Sequence, residues 1–404
     1  MRVDADRFRA DFDALAEIGA TPGGGVNRPT FSDAHLAARE WFLERARSAG
    51  LETRVDSAGN HSAVLGSSAR TLLLGSHLDS VPDAGRFDGA LGVVAALEVL
   101  RTVQDSGIEL SVTLEAIDFT DEEGTLVGLL GSWAVAGALS RETLAAPRGG
   151  RDALVAGLAR TGLDEERLFD ARRDPSTLVG YLELHIEQGP VLEREGVDIG
   201  VVTGIVGSRS FRLSFMGAAS HAGTTPMDAR RDAGVAAAAF IVGARDLVVR
   251  EYPGCVATVG RVELEPGAFN VIPGRARLAL EFRSLHEEEL DALEAELLAL
   301  ARAQELEVEI EPVGSWEATP LDETVRSAIA AAAESLGLSV RELPSGAGHD
   351  AQALAAVTRS GMVFVPSRGG ISHSPAEETD WDDCVNGANV LLRAVLDLAR
   401  SDPK

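Results

Sequence analysis

Five places along the chain set histidines and carboxylates among small or turn-forming residues. His77-Leu78-Asp79 closes the apolar run TLLLGSH, Asp88 follows eleven residues after His77 in RFDGALG, and Glu122-Glu123 comes just after IDFT. His185 ends LVGYLELH, and His373 lies in the Gly/Ser-rich stretch SRGGISHS. Imidazole and carboxylate together suit Zn²⁺, Mn²⁺, Co²⁺ or Ni²⁺. Two such ions about 3.5–4 Å apart need a bridging carboxylate and a bridging water or hydroxide. Asp88, with a short side chain held at a predicted helix start, is the bridge candidate. Adjacent glutamates divide labour: one can bind metal while the other stays free as general base toward water. Asp79 is expected to accept the second ring N–H of His77 and so fix its tautomer.

Taken singly, each histidine is more readily read as a buried, hydrogen-bonded residue, and a glutamate pair as a solvated one. The set argues otherwise. Of eight histidines, His77, His185, His221, His349 and His373 lie in Gly- or Ser-rich turns or at predicted strand ends, which helix faces do not produce. Other chemistries are narrowed by composition. The sole lysine is Lys404, which argues against Schiff bases, a phosphate-loop lysine and a carbamylated-lysine metal bridge. A formal charge of −26 disfavours nucleic acid and anionic membranes as partners. Cys255 and Cys384 flank no metal motif and read as reduced thiols. MRVDADRFRADFDAL has no apolar signal core, and no apolar run approaches the roughly 18 residues of a membrane span. A cytoplasmic location is the expectation.

The elements that must place these residues read as alternating strands and helices. Ser32 caps a predicted helix reaching about Ala49, with Gly50 as its stop. TLLLGSH (71–77), SVTLEAIDFT (111–120) and LVGYLELH (178–185) read as buried strands, with an apolar helix over 89–104. Ligands gather beyond the carboxyl ends of strands in such sheets, and four of the five locations fit. From about residue 209 the pattern becomes strand (211–217), helix (228–249), strand (255–264), strand (276–284), helix (287–304), strand (306–312). That order suits a small ferredoxin-like two-layer domain. The expected fold is α/β: a mixed-sheet metallohydrolase domain, 1–208 plus 323–404, interrupted by an inserted α+β domain, 209–322.

The stretches GSHLDSVPDAGRFDGALGV (75–93), DEEG (121–124), ELHIEQGPVLE (183–193), ASHAGTTPMDARRDA (219–233), NVIPG (270–274), PSGAGHDA (344–351) and FVPSRGGISHSPAE (364–377) span nearly the whole chain. They resemble the M20 metallopeptidase superfamily. The nearest match is its branch of N-carbamoyl-L-amino-acid hydrolases, β-ureidopropionases and allantoate amidohydrolases. The resemblance implies two divalent ions per subunit, one on His77 and His185, the other on Glu123 and His373, with Asp88 bridging. It implies Glu122 as general base. His221, presented across a homodimer formed by the inserted lid domain, would stabilise the oxyanion, helped by Asn270. Arg283 would clamp the substrate carboxylate, Gln188 would touch substrate, and His349 would support the site. For Arg283 the residues alone leave open a strand-face ion pair with Glu281 or Glu263. One departure stands out: EEGTLVGLLGS (122–132) lacks the Arg and aromatic with which the branch usually continues EEG. The expected activity is hydrolysis of a small carboxylate-bearing ureido compound. The alternatives are an aminoacylase- or dipeptidase-like amide hydrolase, or a non-catalytic binding protein on the same scaffold.

Overall fold

The computed structural model describes residues 1–401. The chain divides into two compact units, residues 1–203 with the chain from Leu321 onward, and Gly204–Pro320. The sequence reading placed these crossings at 209 and 322.

In the first unit, β1 (Glu52–Val55), β2 (His61–Leu65), β3 (Thr71–His77), β4 (Thr113–Phe119), β5 (Leu178–Ile186) and β6 (Ile199–Ile205) join one mixed sheet. Its order is β1-β2-β4-β3-β5, then the strand Ser360–Val365, then β6. β3 pairs parallel with β4 and β5, and Ser360–Val365 pairs parallel with β5. These four strands therefore end on one side of the sheet. They are buried along almost their whole length, which is why they read as continuous apolar runs rather than alternating ones. The charged residues within β4 are paired: Arg173 Nη2 lies 2.6 Å from Glu115, and Arg39 Nε lies 2.9 Å from Asp118.

Three helices frame this sheet at its N-terminal half. α1 (Ala5–Ala16), not anticipated from the sequence, buries Phe8, Phe12 and Leu15. α2 (Asp33–Ser48) starts at Ser32, whose side chain accepts the His35 N–H, and Gly50 follows it at φ +77°. α3 (Ala90–Ser106) is buried from Ala90 to Val103, as expected of a helix apolar on every side. The long helix Trp381–Ser401 closes the unit over α3 and β5.

The second unit runs strand Gly207–Met216, helix Ala233–Glu251, strands Val256–Glu265 and Arg275–Ser284, helix Glu287–Arg302, strand Glu307–Trp316. The sheet is antiparallel, in the spatial order fourth, first, third, second. Phe211, Phe215, Phe240, Leu278, Phe282 and Leu297 fill its core. The first helix begins at Ala233 rather than 228. Met227–Ala229 form a 3₁₀ turn, and Asp232 caps the helix through the Gly234 and Val235 N–H groups. The last strand runs past Pro312 with a register shift before Gly314, which an edge strand tolerates. Among the described residues no helix is long and apolar enough to cross a membrane. Cys255 and Cys384 are free, buried thiols.

Candidate metal centre

The common strand direction in the first unit gathers the histidines and carboxylates. His77 is the last residue of β3, His185 the penultimate residue of β5, and Glu122 and Glu123 follow β4. His373 comes from the loop after Ser360–Val365. Asp88 sits just before α3, where Gly89 takes φ +63°. A Cβ on Gly89 would lie 2.5 Å from the His77 ring, so only glycine lets helix and histidine approach so closely.

Two groups of potential ligands share Asp88: His77, Asp88 and His185, and Asp88, Glu123 and His373. Asp88 Oδ1 lies 3.5 Å from His77 Nε2 and 3.2 Å from His185 Nε2. Asp88 Oδ2 lies 3.4 Å from His373 Nε2, which is 3.5 Å from Glu123 Oε2. Ligand atoms at the corners of a tetrahedron with bonds of about 2.0–2.2 Å stand roughly 3.3–3.6 Å apart, so the spacing fits a divalent ion. The tautomers fit as well. His77 Nδ1 lies 3.0 Å from the Asp79 carbonyl and His185 Nδ1 lies 2.9 Å from the Ile186 carbonyl. Each ring donates there, which leaves its Nε2 toward the centre; the Gly89 N–H also lies 3.2 Å from His185 Nε2.

Electrostatics favour a cation. Burial pushes the Glu122 carboxyl well up, opposed by His77, whose Nε2 is 3.6 Å away. Burial and then the Asp88 charge push Glu123 up to about 7. Asp88 is held well below the usual carboxylate range: burial opposes ionisation, but the histidines around it prevail. A hydrogen bond to Asp88 raises His373 to about 9. Buried carboxylates crowded in this way are costly until a positive charge joins them. The third possible group, Glu183, His185 and His349, is already engaged. Glu183 accepts from Ser76, Tyr181 and the Ala351 N–H, and His349 Nε2 lies 2.9 Å from Ser345 Oγ.

Three of the expected supporting residues make the following contacts. The Asp79 carboxylate lies 3.8 Å from His77 Nδ1; the Asp79 carbonyl takes that ring N–H instead. The carboxylate accepts the N–H of Glu122 and of Glu123, each at 3.2 Å, and the Thr30 hydroxyl at 3.0 Å. Asp79 thus orients the glutamate pair as well as the histidine. His349 is 1 % exposed and packs edge-on against the His185 ring at 4.5 Å. Gln188 donates to Asp88 Oδ2 at 2.7 Å, so it grips the shared carboxylate.

His221, Asn270 and Arg283 belong to the second unit. His221 and Asn270 are exposed neighbours, since the strand pair Ser220–His221 with Val271–Ile272 joins their segments and the Asn270 carbonyl accepts the Ala222 N–H. Arg283 Nη2 holds Glu281 at 2.7 Å, the ion pair that the residues had left open.

Several supporting residues escaped the sequence reading. Asp121, at φ +58°, accepts the N–H groups of Leu126, Val127 and Gly128 and shares the single Thr30 hydroxyl proton with Asp79. This folds 122–130 back on itself and buries Leu126, Val127 and Leu130 against Leu144, Leu154 and Leu158. The apolar text of that loop is therefore packing. Glu377 and Ser372 contact the Asp88 turn; they lie inside the stretch GGISHSPAE but carried no signal of their own. Thr30 had none.

The sequence profile of peptidase family M20/M25/M40 matches residues 73–397. The chain is 39% identical over 409 residues to an N-carbamoyl-L-amino acid amidohydrolase of Geobacillus stearothermophilus, covering 99% of this chain and 100% of that one. It is 34% identical to an allantoate amidohydrolase of Bacillus subtilis, covering 95% of each. A crystal structure of a hydantoinase/carbamoylase family amidase from Burkholderia multivorans superposes with TM-score 0.91 at 36% identity, covering 100% of this chain and 99% of that one.

Proposed function

The chain belongs to peptidase family M20/M25/M40, and on that premise we propose that it is a metal-dependent amidohydrolase. Its substrate would be a small carboxylate-bearing ureido compound of the N-carbamoyl-amino-acid, ureidopropionate or allantoate type, cleaved at a C–N bond. The observation that carries this reading is the division of Asp88, one oxygen toward His77 and His185 and the other toward His373. It supports two divalent ions per subunit, Zn²⁺ or Mn²⁺ first, with Co²⁺ and Ni²⁺ also suited. The relatives named above supply the ureido substrate class.

When bound, the ions polarise the carbonyl and activate water for attack. Glu122 takes the proton of the attacking water and delivers it to the leaving nitrogen. Asp79 holds Glu122 in place through the backbone. His221, with Asn270, donates to the developing oxyanion. Arg283 exchanges Glu281 for the substrate carboxylate, for which its fork is suited.

The proposal includes a homodimer built by the second unit, with His221 serving the partner's centre. Its support is an exposed stripe, Val235, Val242 and Val249, seven residues apart on the helix Ala233–Glu251, with Val262 and Leu264 also exposed on the helix-side face of the edge strand Val256–Glu265.

The test is hydrolysis of N-carbamoyl amino acids, 3-ureidopropionate, allantoate and N-acyl amino acids, with metal removed and restored. The expected outcome is ammonia release from a ureido substrate, abolished by chelation and recovered with a divalent ion. Turnover of N-acyl amino acids without ammonia would make the protein an aminoacylase-like enzyme. Full activity with no detectable metal would end the metal reading.

A further inference from the structure

The ligands of the centre are not equally well held. His77 and His185 are 1 % exposed, each at the end of a core strand. The His373 side chain is 51 % exposed, and His373 itself sits at φ +53° in a loop where Gly369 and Gly370 are also positive. A non-glycine residue in that region persists only where its surroundings hold it. Something outside the core must therefore fix this loop against Asp88.

Glu377 does so. It is 3 % exposed. Its Oε1 accepts the N–H of Phe87 at 2.8 Å and of Asp88 at 3.1 Å, and its Oε2 accepts the Ser372 hydroxyl at 3.0 Å. The carboxyl occupies the space in which a Cβ on Gly85 would stand, 2.1 Å from its Cδ, so the 85–88 turn is built around it. Ser372 Oγ also lies 3.1 Å from Asp88 Oδ2 and takes a hydrogen bond from Gln188 Nε2 at 3.1 Å. A serine has one proton to donate, so Asp88 and Glu377 share it in turn. Glu377 gives that proton a second acceptor, and Asp88 Oδ2 can turn to a cation without stranding a buried hydroxyl.

We propose that Glu377 is a positioning residue that ties the Asp88 turn to the His373 loop and thereby sets the affinity of the metal position formed by Asp88, Glu123 and His373. This rests on the two-ion reading above. The position on His77 and His185 has its own anchors in β3 and β5 and depends on Glu377 far less.

The experiment is Co²⁺ titration of metal-stripped protein against a competing chelator, followed by visible absorption, with circular dichroism melts of the metal-free forms. Wild type is expected to take up two equivalents. In Glu377→Ala one equivalent weakens about 10–100-fold, the usual effect of removing a group that orients a ligand, while the other stays within about threefold. Glu377→Gln keeps an oxygen for the two N–H groups and recovers most of the loss. Ser372→Ala weakens the same equivalent by less and keeps the question open to test should Glu377→Ala not fold. Unchanged uptake in Ser372→Ala and in folded Glu377→Ala overturns the proposal. So does equal weakening of both equivalents, or a Gln variant as impaired as the Ala variant. Wild-type protein that takes up no Co²⁺ would instead refute the two-ion reading.

Discussion

Glu122 and Glu123 are adjacent in sequence yet differently placed: Glu123 faces His373, and Glu122 faces His77. That difference is the physical basis for giving one the metal and the other the proton. Glu122→Gln keeps shape and hydrogen bonding but cannot take a proton. It should lower kcat by about 10²–10⁴-fold, the range for a general base, with metal content unchanged by elemental analysis. A variant that turns over at nearly the wild-type rate would remove Glu122 from the mechanism. At this scale the candidate ligand cluster was legible, because metal chemistry admits few side chains and parallel strands offer few places for them. The supporting residues were not. Glu377 binds backbone at Phe87 across 290 residues, and Thr30 meets Asp121 across 91; nothing local marks either partner. Asp79 was placed in the right neighbourhood, but its own backbone carbonyl does the task expected of its carboxylate.

Elements carry these groups because β3, β4, β5 and Ser360–Val365 run the same way. Their buried apolar runs made them readable. α1 was missed because charged residues separate its apolar ones, although Asp4 caps it through the Arg7 N–H and Gly19 follows its end at φ +80°. The two ends of α3 offer a matched test. Gly89 and Gly107 flank it at φ +63° and +68°, but a Cβ on Gly89 would strike His77, whereas nothing lies within 4 Å at Gly107. Gly107→Ala should cost about 1 kcal/mol in thermal or denaturant unfolding, the usual price of a left-handed alanine, with metal affinity unchanged. Gly89→Ala should destabilise more and weaken metal uptake at least tenfold. Equal metal affinity in the two variants would show that the His77 contact does not dictate glycine.

For the whole molecule the question is whether residues of the second unit act on a partner's centre. If His221 serves the other subunit about a two-fold axis, Glu122→Gln and His221→Ala damage different halves of a composite site. Each variant alone should be nearly inactive. Mixing them under subunit exchange makes about half the dimers hybrid, each with one intact site of two, and restores about a quarter of wild-type activity per subunit. Exchange verified by mass with no recovered activity would confine His221 to its own chain or exclude it. The sheet of the first unit bears a separate consequence for how the protein is made. Ser360–Val365 lies between β5 and β6, although both precede it by more than 150 residues. The strand that joins β5 to β6 is therefore made only after the insertion and part of the remainder. His77, Asp88, Glu123 and His185 are synthesised before the insertion and His373 long after it. Fragments that stop short of residue 360 leave two unpaired strand edges, the templates on which chains aggregate. The candidate ligand group Asp88, Glu123 and His373 is likewise complete only once the last tenth of the chain has been made.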